Sequence, residues 1–186
     1  MAAQQSPPPA EPKARPDLVR APYSDADVQF MAGMIPHHAQ AVLMASMAKS
    51  HNANPALQLM CERMLISQRD EIEYMRNWLR DRSQVVPPAD ATHHKMKHGD
   101  MEHEMLMPGM LTDDELAQLD AARGSAFDRL FLGFMIRHHQ GAISMVETLF
   151  ASSGAAQDNL VFRFASDVLA DQSAEIGRMH QMLDTV

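Results

Sequence analysis

Residues Phe131–Met145, FLGFMIRHHQGAISM, restate a pattern already used at Phe30–Met44, FMAGMIPHHAQAVLM. At an offset of 101 residues, Phe30 falls on Phe131, Met34 on Met135, Ile35 on Ile136, His37 and His38 on His138 and His139, and Met44 on Met145. A second echo, at an offset of 104, sets Gln68, Glu71, Ile72, Met75 and Leu79 on Gln172, Glu175, Ile176, Met179 and Leu183. An internal repeat implies two similar halves. Each half reads as a helical hairpin, and two hairpins make an all-α, antiparallel four-helix bundle.

The helix signals fit this plan. Ser24 with Asp27 is a capping pair that opens a first helix running to about Ser50. Pro36 falls inside it and is expected to kink it just before the histidines. Asn54-Pro55 starts a second helix, to about Arg82. Thr112 with Glu115 caps a short helix that Gly124 ends, Ser125 with Asp128 begins the next long helix, to about Gly154, and the last runs from about Ala156 to Leu183. Residues 1–22, with Pro7-Pro8-Pro9, Pro12, Pro16 and Pro22, lack apolar periodicity and read as a tether; 23–186 form the bundle domain, with a loop insert at 85–110. An insert this long inside a compact domain is functional or disordered.

At 186 residues and 46% hydrophobic, the chain can bury a core without disulfides. A formal charge of -8 argues against nucleic acid. No run reaches the length of a membrane helix, so no membrane insertion is expected. The single cysteine, Cys61, excludes an internal disulfide and a Cys-based zinc site, and reads as a buried hydrophobe. Methionine is the outlier: 17 residues, against seven Phe, two Tyr and one Trp. Methionine specifies a core poorly, but its thioether is a ligand for Cu(I) that cannot pair into a disulfide.

Adjacent helix residues point ~100° apart, so one histidine of each pair is expected to face the bundle axis and the other a flank. Met34 shares a face with His38, and Met135 with His139. Gln68, Glu71 and Met75 share a face on the second helix, as do Gln172, Glu175 and Met179 on the last. The halves can thus present His, Met and Glu about a pseudo-twofold axis, the place where bundles build metal sites. Core histidines held by Glu71 and Glu175 in one tautomer are the plainer reading. A di-iron centre fits less well, since it needs two Glu-x-x-His motifs and the chain has none.

The insert holds His93, His94, His98 and His103 with Met96, Met101, Met105, Met107 and Met110. Imidazole with thioether suits Cu(II) and Cu(I), and Ag(I) by softness, whereas zinc would favour His and carboxylate without thioethers. A solvated low-complexity linker is the alternative.

Together these residues resemble the family known as domain of unknown function 305. The resemblance is carried by Met34-Ile35-Pro36-His37-His38, Gln68 with Glu71, Ile72 and Met75, Met107-Pro108-Gly109-Met110, and Phe127-Asp128. It continues in Met135-Ile136-Arg137-His138-His139-Gln140-Gly141-Ala142 and in Gln172 with Glu175, Ile176 and Met179. It spans about Ser24–Leu183 and implies a ferritin-like bundle, commonly exported, with some members binding copper in the bacterial periplasm and contributing to copper tolerance. Arg137, where the first half has Pro36, is the main asymmetry between the copies.

The expectation is therefore a copper-binding or copper-sequestering protein without turnover, taking Cu(I), Cu(II) or Ag(I). Its candidate metal ligands are His37, His38, His138, His139, Met34, Met44, Met135, Met145, Glu71 and Glu175, with the residues of the insert as a capture loop. Its partners would be metal ions and a copper-handling protein. No nucleophile–base arrangement is visible, and fold alone licenses no chemistry. The alternative from another class is a metal-dependent redox enzyme using a His/Glu centre in the bundle core. No charged start followed by an apolar segment occurs, so no signal peptide is expected in this chain. A Pro-rich arm entering a domain suits a mature periplasmic or otherwise exported protein; a cytosolic protein with a loose tail is the alternative.

Overall fold

The computed structural model describes residues 22–185 except 93, 99 and 100, and within 94–98 and 101–105 the backbone alone. Residues 1–21 of the proposed tether therefore lie outside the described residues. The element order is α1 (Asp25–Ser46), α2 (Pro55–Asp81), β1 (His94–His98), β2 (Met101–Met105), α3 (Asp113–Ala121), α4 (Ser125–Ala151) and α5 (Asn159–Leu183). The four long helices are those read from the repeat.

Local chemistry sets most of the helix starts. The Ser24 hydroxyl accepts from the Asp27 amide at 3.3 Å, and the Asp27 carboxylate accepts from the Ser24 amide at 2.7 Å. Asn54 caps α2 ahead of Pro55, and Thr112 with Glu115 closes a capping box on α3. Pro36 lies inside α1, which continues through it. Asp128 does not cap α4, whose cap residue Gly124 makes no side-chain bond. Instead its carboxylate accepts from the Asn54 amide at 3.1 Å, tying α4 to the loop between α1 and α2. Its repeat partner Asp27 does the same for the other half, accepting from the Ala156 amide at 2.7 Å. Each half thus pins the other's turn.

α1 packs on α2, α4 on α5, and α1 on α4. The core falls into two apolar clusters. One holds Phe30, Met31, Met34, Ile35, Trp78, Met145, Val146 and Phe164; the other holds Ala41, Met44, Cys61, Met64, Phe127, Phe131 and Met135. Along α1 and α4 the break between clusters falls at the histidine pairs. The bundle is two greasy halves separated by a polar layer.

The insert is more ordered than a loop. β1 and β2 form an antiparallel hairpin whose register pairs His94 with Met105, Lys95 with Glu104, Met96 with His103, Lys97 with Glu102 and His98 with Met101. The reason is in the sequence: ligand-type and charged residues alternate with a period of two, a strand period. Val86 and Ala89 before the hairpin pack on the core, and after it residues 107–111 form a strap across the bundle. Gln40 holds the strap from α1, donating to the Leu111 carbonyl at 3.0 Å and accepting from the Leu111 amide at 2.7 Å. Two glycines let it touch α4. Gly109 adopts φ +79°, and a Cβ there would lie 2.5 Å from the Arg137 carbonyl oxygen; a Cβ at Gly141 would lie 1.9 Å from the Pro108 carbonyl oxygen.

Gly141→Ala is therefore expected to force the strap off α4 and lower stability by about 3 kcal/mol, the cost of overpacking rigid backbone. Gly133→Ala, on the same helix with nothing within 4 Å of the new Cβ, should be neutral or stabilising by up to ~1 kcal/mol. Urea unfolding of both variants checks the contrast; equal effects would contradict it.

Candidate metal centre

All four repeated histidines are fully buried, at 0% exposure. The expectation that one of each pair would lie on a flank is corrected by the packing. α1 and α4 are each covered on two sides, so directions ~100° apart both lead inside. His37 and His138 meet across the α1–α4 contact with ring centroids 3.8 Å apart. His38 and His139 turn the other way, toward the partner helix of their own hairpin. His38 Nε2 lies 2.5 Å from Glu71 Oε2, and His139 Nε2 lies 2.6 Å from Glu175 Oε2. Ring separations of 6.3 Å within each pair, at 53° and 54°, show how closely the halves match.

The two halves differ at the innermost pair. His37 Nε2 donates to the Pro108 carbonyl of the strap at 3.0 Å. His138, its repeat partner, has neither ring nitrogen at hydrogen-bonding geometry. Nδ1 of His37, His38 and His139 is likewise buried without a partner. A buried polar atom left unpaired is rare enough to require a reason. Tying one ring nitrogen to a carboxylate or backbone carbonyl while the other stays bare is how proteins hold a metal-ligating imidazole.

Burial drives the His37 pKa down to about 3, with the neighbouring His38 adding to the effect. Burial, followed by His37, also lowers His138 well below its ordinary value. Both rings are neutral at pH 7, the form in which imidazole binds metal. The Glu71 and Glu175 side chains are 25% and 18% exposed, so each reaches from a histidine toward solvent. They line a cleft of about 230 Å³ between α2 and α5 together with Asp171, Gln68 and Gln172. Burial, then the charges of Glu71 and Glu175, raises Asp171 above the usual carboxylate range. The amide oxygens of Gln68 and Gln172 are buried there without partners.

The methionines divide between the two clusters. Met34 and Met145 lie on one side of the histidine layer, Met44 and Met135 on the other. Met110 is buried, its sulfur accepting the Met107 amide at 3.3 Å. Met107 is half-buried against the first cluster. Side chains of His94, Met96, His98, Met101, His103 and Met105, and all of His93, lie outside the described residues. Burial, first of its causes, pushes the Cys61 thiol up to about 12, leaving no thiolate. Among the described residues, no three His, Cys, Asp or Glu side chains converge as a metal cage. What is present is a His–His contact flanked by two His–Glu pairs.

The sequence did not reveal the Pro108 carbonyl, a backbone group 71 residues from His37, nor Gln40 as the strap's anchor. Arg137 has a role unrelated to the histidines: it grips Glu115 of α3 through two bonds of 2.7 and 2.8 Å. That contact draws the Glu115 carboxyl down to about 2.

With this geometry in hand, the sequence profile of the domain of unknown function DUF305 matches residues 27–183. The chain belongs to this family. Among solved DUF305 structures, a protein from Streptomyces coelicolor assigned as secreted is 22% identical, with 86% of this chain and 93% of that one covered and a TM-score of 0.71. A DUF305 fragment from Deinococcus radiodurans is 27% identical, covering 89% and 99%, also at 0.71. CopM in its Cu(II)-bound form is 29% identical, covering 86% and 96%, at 0.65. CopM has also been solved in Cu(I)-bound and Ag-bound forms, which match at 28% identity. No curated protein matches the chain.

The neutral histidines make stability acid-sensitive. A histidine whose folded pKa lies below its unfolded value stabilises the fold above the unfolded pKa of 6.5, and that contribution is lost as pH falls toward the folded value of about 3. His37 alone should remove roughly 2 kcal/mol between pH 7 and pH 5, with His138 adding in the same direction. Urea unfolding across that range checks it; a flat profile would contradict the neutral, buried state.

Proposed function

We propose that this DUF305 protein binds and sequesters copper, as Cu(I) or Cu(II), and Ag(I), and contributes to metal tolerance in the bacterial cell envelope. The observation that carries this reading is the histidine layer: three buried imidazoles tied through Nε2 with Nδ1 unpartnered, and a fourth, His138, with neither nitrogen at hydrogen-bonding geometry. Neutral imidazole is a borderline donor that suits copper, and the methionines on either side of the layer are soft donors. Metal here is cargo. CopM, a similar bundle, has been solved with Cu(I), Cu(II) and Ag bound. The hairpin, in whose register His and Met positions face one another, supplies a second ligand-rich segment. Thioethers cannot pair into disulfides, which suits soft-metal ligation in an oxidising cell envelope. No helix among the described residues is long and apolar enough to cross a membrane.

One observation favours a second reading, a redox enzyme with a His/Glu centre: Glu71 and Glu175 do reach His38 and His139. Dioxygen or peroxide consumption by the copper-loaded protein would distinguish it from storage.

The test is Cu(I) and Ag(I) titration of the full chain and of a variant lacking 93–105, which keeps the strap that holds His37. The full chain should bind more than one equivalent, and the shortened chain at least one. If all binding leaves with the hairpin, the histidine layer is structural. If neither chain retains metal, the reading fails.

A further inference from the structure

Where the strap reaches α1 it lays Met107 over Gly33. A Cβ at position 33 would lie 2.8 Å from the Met107 methyl carbon, 3.6 Å from its sulfur and 3.6 Å from the Met145 methyl carbon. The methyl ends of two methionines from distant parts of the chain therefore come together above one glycine. Both line a cleft of about 230 Å³ between α1, α4 and the strap, with Gln29, Thr148 and Ser152 at its rim. Pro108 lines the same cleft, and its carbonyl holds His37. The cleft thus lies beside the strap, about two to four helical turns along α1 and α4 from the His37–His138 contact. Gly33 precedes His37 by four residues and Met145 follows His138 by seven, so each shares a helix face with the histidine beside it.

This arrangement belongs to one half of the repeat. In the other half of the repeat, Phe134 occupies the position of Gly33, and Met44, the counterpart of Met145, is fully buried. On this side of the layer the strap brings a second methionine beside Met145. Met110 is committed to the strap's own turn, since its sulfur accepts the Met107 amide.

We propose that Met107 and Met145 form a two-thioether site for a monovalent soft cation, Cu(I) or Ag(I), at the mouth of the α1–α4 seam. Neutral sulfur donors hold soft ions and discriminate against Zn(II), which favours nitrogen, oxygen and thiolate. The site rests on the copper-handling reading and adds to it a place and an oxidation state.

The test is Ag(I) titration of the full chain labelled with [methyl-13C]methionine, Ag(I) being redox-inert. Met107→Leu and Met145→Leu assign the two resonances and conserve side-chain volume, an exchange that packed interiors tolerate. The Met107 and Met145 methyls should move together as Ag(I) is added, and stay in place with Zn(II). Either variant should weaken the response of the remaining methyl by at least about tenfold in Ag(I) concentration. Ag(I) bound with both methyls stationary, a variant that leaves the other methyl's response unchanged, or an equal response to Zn(II) would each show that the pair only packs. The copper-handling reading would survive any of those results. A chain that retains no Ag(I) or Cu(I) at all would overturn both.

Discussion

A fully buried imidazole in a helical bundle has two ring nitrogens to satisfy and must find partners for them within the protein or in what the protein binds, and four such rings set the terms for this molecule. Three use Nε2 to reach outward, to Glu71, Glu175 and the Pro108 carbonyl. That leaves Nδ1 of each, and both nitrogens of His138, buried without a protein hydrogen-bond partner. Apolar side chains at these positions would pack as well without the desolvation cost. A cation that accepts the bare nitrogens converts the cost into binding free energy, and a neutral imidazole is ready to donate without first losing a proton. On the proposed reading, the partly exposed carboxylates behind His38 and His139 would set negative charge beside a bound cation.

The repeat explains why the layer is so regular, and the insert explains why it is not symmetric. Asp27 and Asp128 pin the opposite half's turn, and the His–Glu distances differ by only 0.1 Å between halves (2.5 and 2.6 Å). Onto this near-twofold frame the insert places one strap. It holds His37, leaves His138 bare, and lays Met107 beside Met145. The hairpin that precedes the strap is joined by a few residues to the carbonyl that orients His37, so the ligand-rich segment leads along the chain into the strap that holds the buried layer.

Much of this could be read from residue order. The His-His pairs in a common methionine frame give the two hairpins; Ser24 with Asp27 and Thr112 with Glu115 give helix starts; Glu71 and Glu175 share the helix face that meets the histidines. What escaped has physical causes. A ~100° separation places one histidine off-axis only if the helix is buried on a single side, and α1 and α4 are buried on two. The alternation of Lys, Glu, His and Met between 94 and 105 is a strand period, obscured by residue types rare in strands. Gly109 and Gly141 stand out as motif residues, yet only the close approach of strap and α4, Gly109 to the Arg137 carbonyl and Gly141 to the Pro108 carbonyl, shows why neither can carry a side chain. Backbone groups leave no mark on a sequence, so the partner of His37 could not be foreseen.

The most direct test of the account is the state of the ring nitrogens themselves. Long-range 1H–15N spectra of the histidines should show His37, His38 and His139 protonated at Nε2 in the metal-free chain. Addition of Ag(I) should then move the Nδ1 resonances of the buried rings, as direct ligation requires. If those resonances stay fixed while only histidines of the 93–105 segment respond, the buried layer is structural and the central claim is wrong.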